Sequence, residues 1–109
     1  MNEKKKLSRS QALAAKLTYA TLKIIRDNGK EMPIRELIKR VEQTVALDEW
    51  AKARFEKTGN LRWQSILHFY SIDCIKAGYL IKKSGIWYIT PDGEAALKKG
   101  PEELLDSAI

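Results

Sequence analysis

Acidic residues are the scarcer charge in this chain: 14 Asp and Glu stand against 20 Lys and Arg, for a formal net charge of +6. The deficit is deepest over residues 1–99, which hold all 20 cationic side chains but only 11 of the 14 acids. With a sequence pI of about 9.5, this balance points to an anionic partner, nucleic acid foremost; a merely solvated basic surface is the bland alternative. Cysteine and histidine are scarcer still. One cysteine, Cys74, excludes an internal disulfide and fits a reducing compartment. One histidine, His68, argues against a zinc site and leaves no Ser/His/Asp or Cys/His arrangement to argue for. Long apolar runs are missing as well. The longest uncharged stretch, Trp63 to Ile72, is far too short to cross a bilayer. No apolar segment follows the N-terminal lysines, as a secretory signal would require. The expectation is a soluble cytoplasmic protein with no membrane contact. The few glycines form no phosphate-cradling loop, since each of Gly59, Gly78, Gly85, Gly93 and Gly100 reads as the end of an element. At 109 residues there is room for one domain with its own core.

What is present is organised around Asn60 to Gly93. Trp63, Leu67, Tyr70, Cys74 and Ala77 recur at steps of four and three, the apolar stripe of a helix that Gly78 should stop. Ile72 and Ile75 continue a second arc. This predicts that the helix's C-terminal half is buried on both sides beneath helix 1 and the hairpin, or meets a second copy. Two β-rich runs follow, Tyr79-Leu80-Ile81 and Ile86 to Thr90, joined by a turn at Lys82-Lys83-Ser84-Gly85. Pro91-Asp92-Gly93 reads as a turn leading into a last helix.

Upstream, Met1 to Arg9 is polar, with Lys4-Lys5-Lys6 in a row, and is expected to be a flexible basic arm. Ser10 suits the N-cap of a first helix running to about Asn28. Lys30 to Met32 predicts a connector that adds one strand to the sheet. Pro33 suits the first turn of a second helix carrying Ile34, Leu37, Ile38 and Val41. A short helix is expected from Asp48 to Thr58, with Trp50, Ala53 or Phe55 turned inward and Asn60 capping the long helix. Pro101 to Leu105 reads as a first helical turn that buries nothing. Hence residues 100–109 are expected to begin a linker toward a following domain, and 10–99 to form the fold.

The fold class is mostly α (α+β), a winged helix-turn-helix with a small antiparallel β-hairpin wing. Its expected core is Leu17, Ile24, Leu37, Val41, Trp63, Leu67, Tyr70, Cys74, Leu80, Ile89 and Leu97. The run Arg62-Trp63, the exit Lys76-Ala77-Gly78-Tyr79-Leu80, the strand Gly85 to Thr90, the Thr90-x-x-Gly93 closure and Gly100-Pro101-Glu102-Glu103 together resemble one family. That family is the N-terminal winged-helix domain of Mrr-type restriction endonucleases, a part of prokaryotic defence. The resemblance covers the last half of the chain closely and the first half only as a helix pattern. It implies DNA recognition here and cleavage in a separate nuclease domain. The acid-x-Lys spacing that such metal-dependent cleavage needs occurs only at Glu3-Lys4-Lys5, in no strand. The chain is therefore expected to be non-catalytic, with no cofactor, no metal and no small-molecule substrate.

Double-stranded DNA is the expected partner. By the geometry of winged helices Arg62, Gln64, Ser65 and His68 would face base edges. Lys82 and Lys83 at the wing tip would meet phosphates, flanked by Arg35 and Lys39. The rival expectation is a protein–protein or homodimerisation module using Ile72 and Ile75.

Overall fold

The computed structural model describes residues 7–109. The lysine run of the expected arm and the Glu3-Lys4-Lys5 spacing lie outside the described residues. Ser8 and Arg9, assigned to the arm by sequence, instead begin the fold. Helix α1 (Arg9–Asp27) is closed by a capping box. Ser8 Oγ accepts from the Gln11 N–H, and Gln11 Oε1 accepts from the Ser8 N–H, each at 3.1 Å. Two orphan donors of the first turn are thereby satisfied, which is why Ser8 and not Ser10 is the cap. Strand β1 (Glu31–Pro33) and helix α2 (Ile34–Thr44) follow, then the four-residue α3 (Glu49–Lys52) and the long α4 (Arg62–Lys76). Strands β2 (Leu80–Lys83) and β3 (Ile86–Ile89) make the hairpin. Helix α5 (Pro91–Ala96), one 3₁₀ turn over Leu97–Lys99 and helix α6 (Pro101–Ala108) complete the chain.

The three strands form an antiparallel sheet in the order β1-β3-β2. Met32 stands opposite Trp87 and Leu80 opposite Ile89. Because side chains alternate along a strand, these four point to one face and are buried. Tyr88 and Ile86 lean toward the other face and are half-buried. Helix–strand–helix–helix followed by this hairpin is the winged-helix arrangement expected from sequence, with β1 contributing the third strand.

Helix α1 is the hub, packed against α6, α4 and α2. Leu17, Leu37, Val41, Trp63 and Leu67 are fully enclosed at the centre, and Cys74, Leu80, Ile89 and Leu97 are buried with them. Ile24 and Tyr70 are half-buried, packed at the margin of the core. Other expectations fail: Asn60 does not cap α4, whose N-cap is Leu61 with no side-chain cap hydrogen bond. Helix α3 stops at Lys52 instead of reaching Thr58, and Phe55 is exposed. The segment from Gly100 buries Leu104, Leu105 and Ala108, chiefly on α1. It packs on the rest of the fold, held also by Tyr79 Oη to Ser107 Oγ at 2.8 Å.

Candidate nucleic-acid interface

Helix α4 turns Trp63, Ile66, Leu67, Ser71 and Cys74 inward. What remains outside changes character along its length. Toward the N-terminus Gln64 and Ser65 are half-buried and His68 is exposed, three side chains able to hydrogen-bond. Toward the C-terminus the outer face is apolar: Phe69 is 65% exposed, Ile72 49% and Ile75 39%. Burial of Ile72 and Ile75 beneath α1 and the wing is thus not what the chain does. The inward stripe is already filled by Cys74 and Ser71, so the second arc has nothing to pack against.

Arg62, expected at base edges, is half-buried. Its guanidinium lies 4.9 Å from the Trp50 ring centroid and 5.2 Å from that of Phe55. It donates to the Trp50 carbonyl at 3.0 Å. Arg9 covers Trp50 as well, at 4.5 Å, and pairs with Asp48 at 3.0 Å. The stack Arg9–Trp50–Arg62–Phe55 ties the starts of α1 and α4 to α3 and to the segment after it.

The hairpin turn is only Ser84-Gly85, both residues having positive φ (53° and 77°), the backbone that two-residue hairpins favour. Lys82 and Lys83 therefore lie in strand β2, not in the turn. Lys82 faces inward: its ammonium sits 4.0 Å from the Trp87 ring centroid and donates to Ser71 Oγ at 2.7 Å. His68 meets the same indole edge-on, at 5.7 Å between ring centroids. Burial pushes both the Lys82 ammonium and the His68 imidazolium below their ordinary pKa ranges, and the Lys82 charge adds to the effect on His68. Burial likewise pushes the Cys74 thiol up to about 11, so it stays protonated and inert at neutral pH. Lys83 is exposed, as are Arg35 and Lys39 on α2. The wing is blunt. Pro33 pairs opposite Ile86, the first residue after the turn, and the Ile34 N–H donates to the Gly85 carbonyl at 2.8 Å. The turn is thus fastened to the start of α2, beside Arg35.

Residues 53–61 carry a feature that the sequence reading passed over. Arg54 and Leu61 form an antiparallel bridge. The Phe55 N–H donates to the Asn60 carbonyl at 2.9 Å, and the Gly59 N–H to the Phe55 carbonyl at 2.8 Å. Arg54 Nη1 reaches the Gly59 carbonyl at 2.8 Å, and the Asn60 N–H reaches Thr58 Oγ1 at 3.2 Å. The result is a small hairpin loop directly ahead of α4, whose residues 54–60 are all exposed. The signal was available: cations flank Thr58-Gly59-Asn60, a turn sequence with Gly59 at φ 72°.

Among the described residues three ion pairs form, Arg9–Asp48, Arg26–Asp27 and Lys30–Glu94. Arg35, Lys39, Lys83, Arg54 and Lys57 take part in none of them. No group of three or more His, Cys, Asp or Glu among the described residues is disposed to hold a metal ion. No helix among them is long and apolar enough to cross a membrane. Comparison with curated proteins and with solved structures gives no match. The family described as the Mrr N-terminal domain matches residues 15–99, from the first third of α1 to the end of the 3₁₀ turn. Over that span lie the sheet, the blunt wing and α4 with its polar start, and the chain belongs to the Mrr N-terminal domain family.

Proposed function

We propose that this chain is a duplex-DNA-binding module, the target-recognition part of an Mrr-type protein whose catalysis belongs to another domain. The observation that carries the reading is the pairing of a hydrogen-bonding arc with exposed cations that have no carboxylate partner among the described residues. The arc is Gln64, Ser65 and His68 at the start of α4. The cations are Arg35, Lys39 and Lys83. Phosphates would satisfy the cations independently of sequence, and the arc would meet base edges in the major groove. Arg62 would help by fixing the start of α4 through Trp50 and Phe55. Lys82, turned toward Ser71, would stiffen the wing against α4. Such a partner implies a cytoplasmic protein. The test is the affinity for a labelled duplex across a salt series. The logarithm of the affinity should fall linearly with that of salt, with a slope near 0.9 per phosphate neutralised. Absence of binding at low salt ends this reading.

One observation favours a second reading, a homodimerisation module: the exposed Phe69, Ile72 and Ile75 on α4. Sedimentation over a concentration series separates the two. The second reading requires a concentration-dependent dimer that Ile72→Asp abolishes. A monomer throughout removes it.

A further inference from the structure

We propose that the loop between α3 and α4 grips the DNA backbone beside α4, with Arg54 and Lys57 on phosphates. This rests on the DNA-binding reading above and names a contact surface within it. Three observations carry it. First, the loop shares one open groove with the start of α4, in which Arg54, Phe55, Lys57 and Asn60 face Arg62 and Ser65. Second, the segment Lys52 to Arg62 holds four cations, Lys52, Arg54, Lys57 and Arg62, and one acid, Glu56. Among the described residues neither Arg54 nor Lys57 enters an ion pair. Third, the loop projects and is already ordered. Residues 54–60 are exposed, yet Phe55–Asn60, Gly59–Phe55 and Arg54–Gly59 hydrogen bonds fix its backbone. A pre-ordered cationic loop loses little conformational entropy on meeting a polyanion.

The wing offers less. Its turn is fastened to α2 through Ile34 and Gly85, and one of its two lysines is committed to Ser71 and Trp87. That leaves Lys83 as its one exposed cation, whereas the α3–α4 loop, stapled to α4 by Arg62 between Trp50 and Phe55, presents both Arg54 and Lys57.

The experiment compares the whole chain with two charge-matched double variants by fluorescence anisotropy of a labelled mixed-sequence duplex over a salt series. Arg54→Gln/Lys57→Gln removes two charges from the loop, and the glutamine amide at 54 keeps a donor for the Gly59 carbonyl. Lys98→Gln/Lys99→Gln removes two charges from the 3₁₀ turn, which packs on α1, α5 and α6. The loop variant should lower the salt slope by about two units, roughly one per phosphate contact, and the control by about zero. Thermal unfolding of both variants should match the parent, so that lost binding is not lost fold. If the parent binds and the loop variant keeps its slope, or both variants lose slope equally, the loop assignment is overturned while DNA binding stands. If the parent does not bind at all, the DNA reading itself fails, and this inference with it.

Discussion

At the scale of single residues, Gly93 shows how a short motif stores a packing requirement. Thr90 caps α5: its Oγ1 accepts from the Gly93 N–H at 3.0 Å and donates to the Gly78 carbonyl. One hydroxyl thus ties the end of α4 to the start of α5. A Cβ on Gly93 would lie 2.4 Å from the Tyr79 carbonyl oxygen and 2.8 Å from Ile89 Cγ1. Backbone cannot yield as a side-chain tip can, so Gly93→Ala should cost about 1–3 kcal/mol in denaturant unfolding, as overpacked sites do. The sequence shows Thr90-x-x-Gly93 but reads it as a turn; that Gly93 lies inside a helix against the Tyr79 backbone, just ahead of β2, is a tertiary fact. His68 offers a test by pH. Its pKa is lowered from 6.5 by burial and by Lys82, so the unfolded chain binds the proton more readily than the folded one. The associated stability is fully present above about pH 6.5 and is lost as pH falls through the folded value. Lys82→Met keeps the packing on Trp87 and removes the charge, and should shift the His68 titration, followed by NMR, back toward 6.5. An unmoved titration would leave burial as the sole cause.

At the scale of elements, periodicity made α1, α2, α4 and the hairpin legible, because each has an apolar stripe that one core consumes. It misled where two stripes ran along one helix. Trp63, Leu67 and Cys74 are consumed, whereas Ile72 and Ile75 are left outside; period alone cannot say which arc finds a partner. It misled again after Lys52, where good helix formers continue but the backbone bonds of Phe55, Gly59 and Asn60 close a loop instead. Of the candidate residues, the polar start of α4 and the exposure of Arg35, Lys39 and Lys83 were legible in the sequence, although Lys83 lies in β2 and not in the turn. The engagement of Arg62 and Lys82 with aromatic rings could not, since it depends on side chains brought from distant segments. The Trp50 stack is the element-scale device that follows. Its two cation–π contacts, at 4.5 and 4.9 Å, are worth about 0.5–1 kcal/mol each at exposed sites. Trp50→Leu, which keeps an apolar side chain at this position, should cost about 1–2 kcal/mol in urea unfolding by the loss of both contacts. A change within error would mean that Arg9 and Arg62 merely rest on the ring.

At the scale of the whole molecule, α6 packs on the fold instead of standing apart from it. The ten-residue segment beginning Gly-Pro-Glu-Glu reads locally as a linker, and nothing in its own pattern names the surface it covers. The structure supplies that surface: Leu104 is 0% exposed and Leu105 2%, both lodged chiefly on α1, the hub of the fold. Burying a leucine side chain fully contributes about 1.5–3 kcal/mol, so the pair together supplies roughly 3–6 kcal/mol. That is a large share of the ~5–15 kcal/mol that holds small domains folded. A chain ending at Gly100 should therefore unfold at much lower urea than the full chain. Deletion also strips Glu102, Glu103 and Asp106, leaving the rest more cationic, so charge and packing change together. Leu104→Ala separates them, because it leaves every charge in place. A fully buried leucine truncated in this way costs about 2–5 kcal/mol. Urea unfolding of Leu104→Ala should show a loss in that range with the slope of the transition unchanged. A midpoint equal to the parent's would mean that α6 rests on the domain without holding it together.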